Sequence, residues 1–293
     1  MGIDRESVET HDEARRELPP IRVLTYNIKG GEGAVNRWHG RERDYLDLDH
    51  VAALIREHSP DVVSLQEIAL IGSRGAVENQ VAHLADLLGY AHAFAPVDGA
   101  SQLHAGGPAG RDFWGNAVLS RFPILDHRVH ELCWGRPREC RSLLETRLLV
   151  GSQLLTFAAV HLSYLWRTAF GQAREMASLL SHSEGPVIIA GDLNAAAGSA
   201  ELSPLHSVFD DAFSLIGVPF RDPRRFSYPS GPRAERDLDH VFVSADVHVC
   251  SCRVLIDEDG VSDHNPVLAE VSLPLAPTLR LPRFEELADD LLA

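Results

Sequence analysis

The stretch that most constrains this chain is G-P-V-I-I-A-G-D-L-N, from Gly185 to Asn194. Pro186 halts whatever precedes it, because proline lacks a backbone donor and cannot continue a helix. Val187, Ile188, Ile189 and Ala190 follow as a short apolar run rich in β-branched residues, the pattern of a strand buried on both faces. Gly191 allows a tight exit, and Asp192 and Asn194 come at once. A carboxylate at the mouth of a buried strand is costly unless something there uses its charge. An Asx-turn would also place an Asp and an Asn here, so this strand decides nothing alone. The question is whether other strands end in the same way.

They do. Ile21 to Ile28 (I-R-V-L-T-Y-N-I) reads as a strand with Asn27 near its end, broken by Gly30, Gly31 and Gly33. Asp61 to Glu67 is a second buried strand that finishes on a carboxylate. Leu154 to Leu162 puts His161 at the end of another apolar run. Asp237 to Ser244 opens a strand with Asp239, and Val261 to Val267 carries Asp263 and His264 into a last strand ending near Leu273. Each residue alone has a bland explanation: a turn former, a solvated strand end, a satisfied structural histidine. As a set, Asn27, Glu67, His161, Asp192, Asn194, Asp239, Asp263 and His264 are too consistently placed for that.

The remaining elements fill in an alternating α/β pattern. Leu46, Leu48, Val51, Leu54 and Ile55 recur at helical spacing, with Asp47 or Asp49 as cap and Ser59-Pro60 as stop. Glu78 to Leu88, Thr168 to Leu180 and Leu205 to Leu215 predict further helices. Gly115 to Ile124, Val129 to Trp134, Leu143 to Val150 and Val247 to Ile256 predict strands. The Gly151-Ser152-Gln153 break makes a hairpin of the strands on either side. Val97 to Arg111 reads as an exposed loop, and Pro219 to Arg236 as a Pro/Arg/Ser loop carrying Arg221, Arg224, Arg225, Arg233 and Arg236. That loop is either solvated or a phosphate contact. Residues 1–19 predict a flexible arm, residues 20–275 one domain, and residues 276–293 a tail. Phe284, Leu287, Leu291 and Leu292 in the tail fit a short amphipathic helix docked on its own domain.

Composition narrows the partners. The net charge is −15, from 27 Lys+Arg against 42 Asp+Glu, which repels nucleic acid and anionic membranes at long range. Strong nonspecific nucleic-acid binding is therefore not expected. Four cysteines lie as Cys133/Cys140 and Cys250/Cys252, without His or Cys partners at zinc spacing; the first pair could close a loop. The first 20 residues hold no apolar signal region, and no stretch approaches the roughly 20 apolar residues that span a bilayer. The expectation is a soluble cytoplasmic protein with reduced thiols.

Carboxylates grouped with Asn and His, without Cys, suit a hard cation such as Mg2+ or Mn2+. Two histidines beside carboxylates suit proton transfer near neutral pH. Cation, donors and an Asp to orient water are the components of phosphoester hydrolysis. The ordered set T-Y-N-I, S-L-Q-E, G-N-A-V-L-S-R-F-P-I, V-H-L-S, A-G-D-L-N, D-L-D-H-V-F-V-S and S-D-H-N-P-V resembles the endonuclease/exonuclease/phosphatase superfamily, over about residues 20 to 273.

The resemblance implies a four-layered α/β sandwich, two mixed, mostly antiparallel sheets packed face to face with helices outside. It implies a divalent-metal-dependent phosphoesterase, foremost a phosphodiesterase acting on a nucleic acid, nucleotide or phospholipid-like substrate. Glu67 looks like the main metal ligand, helped by Asn27, with Asp263 a further metal-side carboxylate. Asp192 resembles the residue that activates water, Asn194 a donor to the phosphate, and His264 the phosphate-contacting His held by Asp239. His161 resembles the proton donor to the leaving group. Abasic-site endonucleases carry Tyr where His161 stands and Asp where this chain has Lys29, which disfavours that branch. His161 points to the deoxyribonuclease and sphingomyelinase side. The family often has Tyr at the position of His240. The alternatives are a phosphomonoesterase on a sugar or inositol phosphate, and a catalytically silent binding protein of the same fold.

Overall fold

Strands and helices form where the periodicities demand them, and the computed structural model describes residues 19–29, 48–73, 76–97, 113–135, 140–257 and 262–274. In chain order these give β1 (Ile21–Asn27), α1 (Leu48–His58), β2 (Val62–Ser73), β3 (Ala76–Asn79), α2 (Gln80–Leu88), β4 (Ala91–Pro96) and β5 (Phe113–Ser120). There follow β6 (Ile124–Cys133), β7 (Cys140–Val150), β8 (Gln153–His161), α3 (Trp166–Leu180), β9 (Val187–Asp192) and α4 (Ser203–His206). The last are β10 (Asp210–Asp211), α5 (Ala212–Leu215), β11 (Asp239–Val243), β12 (His248–Val254) and β13 (Val267–Ser272).

One sheet runs β12-β13-β1-β2-β5-β4, with β3 alongside β2, and the other runs β10-β11-β9-β8-β7-β6. Period-2 side-chain alternation decides which residues face which layer. In β9, Ile188 and Ala190 point between the sheets, where they pack with Val23, Val62, Val118, Phe157 and Val241. Val187 and Ile189 point outward, onto Ala173, Met176 and Leu180 of α3. Both faces of this strand are therefore buried, which explains its unbroken apolar run. The opposite outer layer forms where Leu24, Tyr26, Val63 and Leu65 pack under Val51 and Ile55 of α1 and Val81 and Leu84 of α2. The result is the expected four-layered sandwich. Each large aliphatic side chain buried in it contributes about 1.5–3 kcal/mol of transfer free energy.

Two strand pairs are parallel, β1 with β2 and β8 with β9. Parallel neighbours need a crossover, supplied by α1 and α3, and so their C-terminal ends lie at the same edge of the sandwich. Gly191 makes the second pairing possible: a Cβ there would sit 2.0 Å from the Val160 carbonyl oxygen.

Several expectations change. The strand from Asp61 does not stop at Glu67 but continues to Ser73, with a register shift against β5 between Leu65 and Ile68. The helix expected from Glu78 begins at Gln80, because Asn79 caps it by accepting from the Ala82 N–H, and Gly89 closes it at φ 70°. The helix expected over Leu205 to Leu215 is broken into α4 and α5 by β10, whose Asp211 accepts the Ser214 N–H and caps α5. Residues 91–96, not read as a strand, pair with β5. Cys133 and Cys140 face each other across β6 and β7 and form a disulfide, which corrects the expectation of reduced thiols for this pair. Cys250 and Cys252 are free. No helix among the described residues is long and apolar enough to cross a membrane. The N-terminal arm through residue 18, the glycines after Lys29, nearly all of the 97–111 loop and the C-terminal tail helix lie outside the described residues.

Candidate active site

The parallel pairings bring together residues far apart in sequence. Asn27 ends β1, His161 ends β8 and Asp192 ends β9, while Asp239 opens β11 directly opposite Asp192. Glu67 reaches the same edge from within β2, where the backbone takes φ 55° at the bulge. A bulge re-aims a side chain that the regular pleat would turn away. Lys29 (φ 49°) and Asn194 (φ 52°) are also left-handed, so three strained non-glycine positions border one site. Such strain persists where surrounding contacts over-determine it.

Glu67, His161, Asp192, Asn194 and His264 line a cavity of about 310 Å³. Asn27 and Asp239 stand behind them, each about 1% exposed. Asn27 Nδ2 donates both to Glu67 Oε1 at 3.1 Å and to Asp192 Oδ2 at 3.0 Å, tying the first sheet's carboxylate to the second's. Its Oδ1 accepts the Lys29 N–H at 3.0 Å. Asp192 Oδ1 accepts the Asn194 N–H at 2.9 Å. Burial, and the Asp239 carboxylate beside it, hold the Asp192 carboxyl well above the ordinary carboxylate range, partly offset by His264 and its amide donors.

His264 Nδ1 is 2.7 Å from Asp239 Oδ2, and its Nε2 is 3.7 Å from Asp192 Oδ2. Burial works against its charge, but Asp239, Asp192 and Asp263 outweigh it and push His264 up to about 10. His264 is thus an imidazolium between two carboxylates. His161 is the opposite case. Burial, with the charges of Arg141 and His264, holds it well below 6.5, so it is neutral. Asn194 Nδ2 lies 2.9 Å from His161 Nε2 and donates to Leu162 O at 3.0 Å; the same Nε2 lies 3.4 Å from Asp192 Oδ2, and Nδ1 lies 4.0 Å from Glu67 Oε1.

Asp192, Asp239 and His264 offer ligand atoms within 4.8 Å of one another, a buried group able to hold a cation. Glu67 also suits a hard divalent ion: a carboxylate whose side chain is 32% exposed on the wall of the same cavity. The donors present therefore fit a divalent ion at this end of the sandwich. Asp263 is not among the cavity-lining residues; its Oδ2 lies 3.0 Å from Lys29 Nζ, and its charge acts on His264.

Sequence reasoning passed over Trp114, Asn116, Arg141 and Tyr164, which also line the cavity. Asn116 lay inside the quoted G-N-A-V-L-S motif; the other three carry no local signal. The Pro219 to Arg236 loop does not line it. Arg225 is fully buried and pairs with Asp211, Arg224 pairs with Asp222 at 2.7 Å, and Arg236 lies over the Tyr228 ring. His240, the departure from the family's Tyr, is buried with Nε2 2.9 Å from the Ala195 carbonyl oxygen.

The model of the endonuclease/exonuclease/phosphatase family matches residues 24–264. No curated protein matches the chain by sequence. Among solved structures, an endonuclease/exonuclease/phosphatase from Beutenbergia cavernae DSM 12333 is similar at TM-score 0.70 and 25% identity, over 89% of this chain and 73% of that one. The human Nocturnin catalytic domain with bound sulfate gives TM-score 0.68 and 19% identity, over 87% and 94%. A mannosyl-6-phosphatase from Bacteroides thetaiotaomicron VPI-5482 gives 0.61 and 19%, over 86% and 99%.

Proposed function

Because the chain belongs to the endonuclease/exonuclease/phosphatase family, whose members are metal-dependent phosphoric ester hydrolases, we propose that it is a phosphodiesterase using Mg2+ or Mn2+. The observation that carries the diester reading is the cavity wall. Arg141 is the one Lys or Arg among its described lining residues, and Trp114 and Tyr164 line it with the acids. A diester carries one negative charge and two organic arms, whereas a monoester dianion asks for more positive charge and less apolar wall. The net charge of −15 favours a small diester, such as a nucleotide, over long nucleic acid or an anionic membrane surface.

Glu67 would hold the metal ion, with Asn27 fixing its carboxylate. Bound there, the ion supplies Lewis-acid neutralisation of charge developing on the phosphoryl group. Asp192, with its raised proton affinity, takes a proton from the attacking water. His264, kept cationic by Asp239, donates to a phosphoryl oxygen. His161, being neutral, offers its ring N–H as a hydrogen bond to the leaving-group oxygen, which takes its proton from solvent. Asn194, whose Nδ2 lies beside His161 Nε2 and donates to Leu162 O, serves this scheme by holding the His161 ring; direct donation to phosphate would compete with these two contacts.

The test is hydrolysis of bis-p-nitrophenyl phosphate and p-nitrophenyl phosphate side by side, with Mg2+, Mn2+ or EDTA. Diester cleavage that EDTA abolishes is expected. Cleavage of the monoester alone would replace this reading with a phosphomonoesterase, and metal-independent turnover would remove the ion from it.

A further inference from the structure

Three consecutive apolar residues stand exposed where β8 runs into α3: Tyr164 at 70%, Leu165 at 38% and Trp166 at 60%. Such a run is a liability in water unless it serves a function. The backbone beneath it is pinned. Leu162 N–H donates to Asp192 O at 3.0 Å, Ser163 N–H to Oε1 of the fully buried Gln172 at 2.9 Å, and Leu165 N–H to Ser163 Oγ at 3.1 Å. Gln172 Nε2 donates in turn to Leu132 O at 2.9 Å. The two tryptophan rings of this surface are already engaged. Trp134 covers Gly171, where a Cβ would meet its ring at 2.0 Å, and lies under the Arg174 guanidinium at 4.7 Å. Trp166 carries the Arg167 guanidinium at 4.9 Å. Tyr164 differs from both: among the described residues its side chain has no hydrogen-bond, ionic or ring partner, and it lines the cavity with His161 and Asp192.

We propose that Tyr164 is a specificity-determining residue whose ring stacks on a nucleobase carried by one arm of the diester. The inference rests on the phosphodiesterase reading given above. Stacking needs a flat, accessible aromatic face, and a free ring on a pinned backbone presents one at little cost in entropy. An acyl arm would instead need apolar surface that takes it out of water. Among the described lining residues Val97 is the one aliphatic side chain; apart from it, Trp114, Tyr164 and Gly115, the lining is polar or charged. The volume of about 310 Å³ also lies at the small end of ligand cavities, so a base-bearing arm extends to the exposed ring of Tyr164. That ring meets the arm and not the reacting phosphoryl group, and its effect falls on substrate binding rather than on the chemical step.

The experiment compares, on the purified full chain, two diesters with the same leaving group: thymidine 5′-(p-nitrophenyl phosphate) and methyl p-nitrophenyl phosphate. Wild type is expected to favour the thymidine ester in kcat/KM. Tyr164→Ala should lower kcat/KM for that ester by about 5- to 150-fold, the range of one base–aromatic stack, chiefly through KM, and the methyl ester should lose far less. Tyr164→Phe and Tyr164→Trp should keep the preference. Tyr164→Leu, which restores apolar bulk without a ring face, should not. Equal losses on both esters, an undiminished preference in Tyr164→Ala or Tyr164→Leu, or a wild type without preference would overturn the inference while leaving diester hydrolysis intact. Failure of wild type to cleave either ester with Mg2+ or Mn2+ would overturn the phosphodiesterase reading and the inference with it.

Discussion

His264 Nδ1 and Asp239 Oδ2 lie 2.7 Å apart, both side chains shielded from solvent, and this contact makes the histidine a permanent cation at neutral pH. It exists because β11 runs antiparallel to β9, which sets Asp239 opposite Asp192, while the Asp263-His264 turn closes back over β1. The pair also has a consequence for stability. His264 has a folded-state pKa of about 10 against 6.5 for the free group, so its contribution is fully present below pH 6.5 and is lost as pH rises through about 10. In EDTA, Tm should fall between those limits, and His264→Gln should flatten that fall. Parallel Tm curves for the two proteins would show that the pair carries no such linkage.

Removing the anchor should cost catalysis more than folding. Asp239→Asn leaves the shape of the side chain but withdraws the charge that holds His264 protonated. We expect kcat to fall roughly 10²–10³-fold, the cost of losing one preorganised donor to the developing phosphoryl charge. Steady-state kinetics with the diester check this; a loss under about tenfold in kcat would remove His264 from the transition state.

Glu67→Gln should lower kcat by about a hundredfold or more by removing a metal-held charge, while the melting transition stays close to wild type. The side chain is partly exposed, so little packing is lost. Activity restored simply by raising Mn2+ would identify weakened affinity as the whole defect.

Arg225 separates a structural arginine from a substrate contact. It is fully buried, pairs with Asp211, donates to Val218 O at 3.2 Å and lies over the Phe213 and Phe220 rings. Arg225→Ala strands a buried carboxylate and should cost about 3–5 kcal/mol in urea unfolding. KM of the folded fraction should be unchanged. A raised KM with wild-type stability would restore the phosphate-contact reading of this loop.

Gly191→Ala should destabilise strongly, by more than the roughly 1–3 kcal/mol of an overpacked core, since its Cβ would meet backbone rather than a side chain. Soluble expression and a urea midpoint measure it. A wild-type midpoint would mean that β8 and β9 can separate without cost.

The sequence by itself determined what depends on near neighbours. Buried strands were legible from runs such as Val187 to Ala190, since burial on both faces leaves no polar position. The polar strand ends Asn27, His161 and Asp192 were legible because each interrupts such a run. Tertiary structure decided what depends on distant register. Local propensity does not encode that β2 bulges at Glu67, that Arg225 turns inward to Asp211, or that the Asn194 amide sits between His161 and Leu162 O. Nor does it encode the charge on each histidine. His161 and His264 have the same chemistry as free side chains, and only burial, Arg141 and the placement of Asp239 make one neutral and the other cationic.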